Sequence, residues 1–308
     1  MGVTVNSQPP ALNSRHSTPG SRLVGTAAAL GAVIIWGLTF VPSKVALSEM
    51  GPFTLAVLRF GVALVILLPL VTPWRLRPLD LARLPWRTLM ALGLTGVAIY
   101  FGFQNLGLAR TSATEAGLIS GSVPAVTAAL SALVIRERLR ASRILGIGGS
   151  MAGVAVMILG SSPDAGGSLT GDLLMLVSAA AWAVYTLLNK KTAGTVPDGL
   201  MLVSTIAFGA LFLAPAALLE IATSGFGPVS STGWLSVIFL GAGGSAAAFF
   251  CWNAALSRLD ASEASTYINL VPLVTVLSAA LVLGERPTLS QLLGGALVIA
   301  GVYMAGRG

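Results

Sequence analysis

Ten apolar runs, each of about 17 to 25 residues and bounded by charges, Gly or Pro, divide the chain into lengths that a helix needs to cross a hydrocarbon core of about 30 Å. Lipid offers a backbone no hydrogen-bond partners, so such runs must become helices that satisfy their own N–H and C=O groups. The expected spans are Leu23 to Leu47, Pro52 to Val71, Thr88 to Leu108, Ala113 to Ile135, Ala141 to Gly160, Gly171 to Asn189, Gly199 to Leu219, Gly233 to Leu256, Ala261 to Gly284 and Leu289 to Ala305. The fold class is an all-α integral membrane protein, and with only 9% of 308 residues charged no segment can form a separate soluble domain. Residues 1–21, rich in Ser, Pro and Asn, are expected to be a flexible cytoplasmic tail. The run after them is too long for the apolar part of a signal peptide and lacks a small-residue cleavage site.

The net charge of +7 would suggest nucleic acid in a soluble protein, but its distribution points to the bilayer. With a cytoplasmic N-terminus, 14 Lys and Arg residues fall in cytoplasmic segments and only Arg110 and Arg286 in outer loops, which places both termini in the cytoplasm. His16 is the only histidine, and neither HExxH nor a cluster of metal ligands occurs, which excludes histidine- or zinc-based catalysis. A carboxylate-based enzyme is the remaining alternative, but Glu115 and Glu263 fall near opposite faces and could not easily act together, so the chain is read as no enzyme, with no catalytic residues, metal or cofactor. Cys251 stands alone and cannot form an intramolecular disulfide.

The second half repeats the first. Aligned from Arg110 and Arg258, 19 of 47 positions are identical, including Glu115 with Glu263, Pro124 with Pro272, Glu137 with Glu285, Gly146 with Gly294 and Gly153 with Gly301. Asn105 matches Asn253 in the same register, and Trp36 and Lys44 match Trp182 and Lys190 after a small gap. Five spans per half is an odd number, so the second half crosses the membrane in the opposite sense, as two inverted repeats. Lys44 and Lys190 are then expected near opposite surfaces, each reaching water along its stem.

Pro124 and Pro272 fall near the centres of the fourth and ninth spans, where they are read as hinges that free the carbonyls of Ser120 and Ile268. Trp74, Trp86, Trp234 and Trp252 fit an interfacial belt, but Trp36 and Trp182 lie too deep. With Thr39, Phe40, Tyr185 and Thr186 one turn along, they make mixed aromatic and hydroxyl faces suited to an amphipathic solute; helix packing is the competing reading. Tyr100, Tyr267 and Asn269 are polar groups at similar depth and join the candidate cavity lining. Arg59 lies about a third of the way into its span and needs water or a partner, so Lys44, Arg59 and Glu115 form a candidate outer polar cluster or a place for a solute carboxylate. Thr205 occupies the matching place in the second half. Ser112-Ala-Thr-Glu115 and Asp260-Ala-Ser-Glu263 read as helix-capping sequences, Glu137-Arg138 and Glu285-Arg286 as interfacial ion pairs, and the glycine clusters at 146–149 and 241–244 as close helix contacts.

The WGxxF…K phrase of Trp36 to Lys44, the Pro52-Phe53…Arg59-Phe60 phrase, and the VP…ER phrases that begin at Val123 and Val271 resemble the drug/metabolite transporter superfamily, in its EamA-type ten-helix branch. The likeness covers nearly the whole chain after the tail, with a first repeat at 22–160 and a second at 171–308. Within that branch the chain looks most like bacterial amino-acid and metabolite exporters, the aromatic amino-acid group included. The resemblance implies a bacterial inner-membrane protein that exports small amphipathic metabolites, amino acids first, by alternating access through a midplane cavity. It also implies a small-molecule substrate and the lipid bilayer as partners, no nucleic acid, and a monomer as the expected unit. Carriage of nucleotide sugars or of drugs and cations is the alternative within the superfamily, and a selective channel the alternative outside it.

Overall fold

The computed structural model describes residues 19–71, 84–135, 140–160, 168–192, 195–256, 258–259 and 267–306, and every regular element among them is helical. The first span is Pro19–Leu38 continued by Phe40–Leu47, and the second is Pro52–Val71. The third is Trp86–Gly93, a π-helical stretch Leu94–Ile99 and Tyr100–Leu108. Ala113–Ser120 and Val123–Ile135 make the fourth, and Ala141–Leu159 the fifth. The second half follows with Leu169–Thr192, Asp198–Ser224, then Ser231–Ile238 with the π-helical stretch Phe239–Ala247 and Ala248–Leu256. Val271–Ser278 with Ala279–Leu283, and Leu289–Gly306, complete the ten. Eight of these helices are long and apolar enough to cross a membrane, while Val271–Leu283 and Leu289–Ala305 are shorter. The expected start of the ninth span at Ala261, together with the tail at 1–18, Trp74, Glu137, Arg138 and Glu263, lies outside the described residues.

Large apolar side chains point outward all round: Val65, Leu133, Leu159 and Leu281 are 75, 76, 86 and 85% exposed. In water such a surface would aggregate; in a bilayer it is the lipid face. Between helices the hydrophobic effect is absent, so cohesion must come from close contact of small residues. The fifth and tenth spans supply it: a methyl on Gly146 would come 2.6 Å from the Gly301 carbonyl, and one on Gly153 would come 2.5 Å from that of Gly294. Gly146 and Gly294 are repeat-equivalent, as are Gly153 and Gly301, so the two contacts exchange when the halves are exchanged. The two spans therefore run antiparallel about a local two-fold axis, the geometry of inverted repeats. The same exchange relates the packing of the first span on the eighth and ninth to that of the sixth on the third and fourth.

At one face of the bundle, carboxylates cap helices to which they do not belong. Glu49 accepts from the N–H and hydroxyl of Ser230, which hold its carboxyl below the usual glutamate range. Glu220 accepts from the N–H and hydroxyl of Thr54 at 2.8 and 2.7 Å. Gly284 ends the ninth span in the left-handed region at φ 67°, turning the chain so that Glu285 accepts from the N–H groups of Ala113 and Thr114 at 2.8 Å each. Glu285 thus serves as a cap at the start of the fourth span and makes no ion pair with Arg286, because free N–H groups at a helix start attract a carboxylate.

Candidate functional site

The paired tryptophans occupy equivalent crevices. Trp36 packs on Phe249 and Trp252 of the eighth span, with ring centroids at 5.8 and 5.5 Å, and its Nε1–H donates to the Gly244 carbonyl at 3.2 Å. Trp182 packs on Tyr100 of the third span at 4.6 Å and on Tyr185 of its own helix at 4.9 Å. Trp252, expected in the interfacial belt, is drawn inward by this stacking, whereas Trp86 and Trp234 stay 39 and 41% exposed near helix starts. Trp74 lies outside the described residues.

Both crevices face a π-helical stretch, and in the repeat register Leu94–Ile99 coincides with the last six residues of Phe239–Ala247. Widening the helix there leaves backbone carbonyls off the regular ladder, a feature frequent at functional sites. Glycine makes the approach possible: a Cβ on Gly96 would run into the Tyr185 ring, and one on Gly244 would lie 2.7 Å from Thr39 Cγ2 and 3.2 Å from Arg59 Nη2. The Gly241–Gly244 cluster signals close approach in the sequence, but nothing in the residue pattern reports the change of helix type.

Arg59 stands between the crevices. It is 4% exposed, which rules out snorkelling, and its guanidinium lies over the Phe101 and Phe60 rings at 4.6 and 5.3 Å. Nη2 donates to Ser245 Oγ at 3.2 Å and reaches the Leu240 carbonyl at 3.5 Å, while Nε has no acceptor. No carboxylate among the described residues bonds to it. Phe101 in turn touches Tyr100 at 4.7 Å, and Gln104 donates to the Tyr100 hydroxyl at 2.9 Å. Phe101, Gln104 and Ser245 are members of this group that sequence reasoning passed over, since a lone Phe, Gln or Ser in an apolar run carries no signal.

Thr39 donates to the Trp36 carbonyl at 2.6 Å, at the junction of the two helices of its span, and Phe40 is buried in an apolar cluster with Leu108, Ala116 and Ile119. Lys44 is half-buried, and its Nζ donates to the carbonyls of Leu108 and Thr111 at 2.7 and 2.6 Å, closing the end of the third span. The Thr111 hydroxyl donates to Asp172 at 2.8 Å and lies 3.3 Å from Glu115, so Lys44 and Glu115 share Thr111, whereas Arg59 is held apart from both. The Glu115 N–H donates to the Ser112 hydroxyl oxygen, as a capping sequence requires, and the Glu115 carboxylate also accepts from Gln291 at 3.4 Å. Pro124 and Pro272 each stand second in a helix that follows a turn, at 121–122 and 269–270, so the spans are interrupted before the prolines and not bent by them. A Cβ on Gly121 would lie 2.7 Å from the Pro272 ring, so the two interruptions adjoin. Ser120 is half-buried at the end of its helix. Tyr267 lies 3.5 Å from the Thr26 hydroxyl and packs on the cluster of Ala29, Ala255 and Leu259, and Asn269 opens onto an apolar outward seam with Ala296 and Tyr303.

Residues 23–159 and 169–307 each match the profile of the EamA-like transporter family. A probable amino-acid metabolite efflux pump of Salmonella typhimurium is 34% identical over 288 residues, covering 90% of this chain and 92% of its own. An uncharacterized transporter of Archaeoglobus fulgidus is 33% identical over 285 residues, 88% of this chain and 93% of its own. A probable terminal-alkyne amino-acid exporter of Streptantibioticus cattleyicolor is 30% identical over 278 residues, 89 and 91% of the two chains. A solved crystal structure, 24% identical, superposes with a TM-score of 0.64 over 93% of this chain and 97% of its own, which shows a shared fold.

Proposed function

Because the chain belongs to the EamA-like transporter family, and is therefore a multi-pass membrane transporter and not an enzyme, we propose that it exports small amphipathic metabolites, amino acids first, across a bacterial inner membrane. The observation that carries this reading is the run of aromatic rings and polar groups between the crevices of Trp36 and Trp182, which holds one buried guanidinium and draws on both halves. Rings hold the apolar part of a solute while carbonyls, hydroxyls and the guanidinium hold its charged end. The names of the relatives support the amino-acid class.

The entrance lies at the end of the bundle where the positively charged segments gather. A recess of about 310 Å³ there is lined by Pro85 and Thr88 of the third span and by Leu188, Lys191, Thr192 and Thr195 at the end of the sixth. Leu188 follows Tyr185 on the same face of the sixth span, so the seam between these two spans leads from the recess to Tyr185 and Trp182. Alternating access then comes from rocking of one half against the other, with Pro124 and Pro272 as hinge positions.

The test is counterflow in liposomes carrying the purified protein, with a panel of amino acids, nucleotide sugars and lipophilic cations. Saturable counterflow of amino acids is the expected result. Counterflow of nucleotide sugars or cations alone would move the protein to another branch of substrates, and flux that neither saturates nor exchanges would make it a channel.

A further inference from the structure

Arg59 holds five N–H donors, yet its only acceptors among the described residues are the Ser245 hydroxyl and the more distant Leu240 carbonyl, both neutral. Nε points at no acceptor, and the nearest broad surfaces are the faces of Phe60 and Phe101. A guanidinium this deep is left with an unmet buried donor at Nε, a state tolerated where a counter-charge arrives as part of function. Cation–π contact holds the guanidinium beside the two rings, which stand at 78° to each other, and leaves Nε without an acceptor and open to a bidentate partner. Gly244 keeps that edge clear, since a methyl there would stand 3.2 Å from Nη2.

From this geometry we infer that Arg59 is the specificity-determining anchor for a solute carboxylate, which displaces Ser245 and the Leu240 carbonyl and takes a paired bond from the guanidinium edge. The inference rests on the amino-acid reading above and narrows it: the transported class is α-amino or other organic acids with an apolar or aromatic side, and the matching amides, esters and amines are rejected. The solute's apolar part lies toward Phe101, Tyr100 and Trp182, the ring series that starts at the guanidinium. Thr205 offers no second cation at the repeat-equivalent place, so one carboxylate is held at a time. Releasing Ser245 and Leu240 also frees the π-helical stretch of the eighth span, to which both belong and which Trp36 grips through Gly244, from the second span, and so couples loading to the helix that must move.

The experiment is competition against labelled phenylalanine in liposomes by phenylalanine, 3-phenylpropionate, phenylalanine amide and phenethylamine. In the native protein the two carboxylates should compete about tenfold or more better than the amide and the amine, the scale of a bond between charged groups. Arg59→Gln should collapse that gap to about twofold or less, and Arg59→Lys should restore part of it. Ser245→Ala, a mild change that removes a competing acceptor, should strengthen the carboxylates and leave the amide and amine unmoved. Equal competition by acid and amide in the native protein would overturn the inference while leaving amino-acid transport standing. Retention of the full preference by Arg59→Gln would overturn it as well. If Arg59→Gln does not fold, Ser245→Ala decides, and a uniform or absent effect on acids and amides overturns the anchor role. Failure of the native protein to move any amino acid is a different result, and refutes the function itself.

Discussion

Trp36 and Trp182 are equivalent in sequence but held differently, the first by a hydrogen bond to a backbone carbonyl and ring contacts on the eighth span, the second by contacts with two tyrosine rings. Trp36→Phe keeps the ring and loses the donor, so it should weaken the fold by about 0.5 to 1.5 kcal/mol. Trp36→Ala and Trp182→Ala should each cost less stability than the about 3 to 5 kcal/mol of a fully buried aromatic, since both side chains are only half-buried, while transport falls or changes its preference. Thermal unfolding in detergent beside substrate competition separates the two effects. Large stability losses with unchanged activity per folded molecule would make the pair helix packing. The depth of these residues was legible, because the repeat places them at mid-span. The surroundings of Arg59 were not: Lys44 and Glu115 share its half of the membrane in the sequence, but which helix stands beside which is decided laterally, and the second span turns its arginine to the eighth.

At the scale of elements, the fifth and tenth spans give the sharpest test. Backbone carbonyls stand 2.5 to 2.6 Å from where a methyl would sit on Gly146, Gly153, Gly294 or Gly301, whereas Gly148 has nothing within 4 Å. Alanine at any of the four should lower stability by about 1 to 3 kcal/mol, because the obstacle is backbone and cannot rotate away. Gly148→Ala should be neutral or mildly stabilising, from the better helix propensity of alanine. Thermal melts of the five variants decide it, and a neutral Gly146→Ala would dissolve the two-fold contact. Glycines seven residues apart in both halves announce this interface from sequence. The caps contributed by Glu49, Glu220 and Glu285 do not announce themselves, since each joins segments far apart in the chain, and an acidic residue at a span end reads equally well as solvated.

For the whole molecule, the contacts at loops after odd-numbered spans gather on one face, so labelling from either side tests the threading. In a Cys251→Ser background, Ser48→Cys is expected to react with an impermeant thiol reagent from outside intact cells, and Ser142→Cys only after permeabilisation. Reversed reactivity would invert the topology and with it the cytoplasmic entrance. Two halves that mirror each other so closely would make the opposite states of the carrier equal in energy, except where the halves differ, and Arg59 against Thr205 is the sharpest difference. A charge that moves through the membrane field is driven by voltage, at about 2.3 kcal/mol per 100 mV for a full crossing. A zwitterion adds no net charge to that crossing, so its passage draws no current, whereas an organic anion carried by the same guanidinium does. Voltage across the membrane would thus sort the cargo of this protein by net charge, independently of how well its apolar part fits the rings.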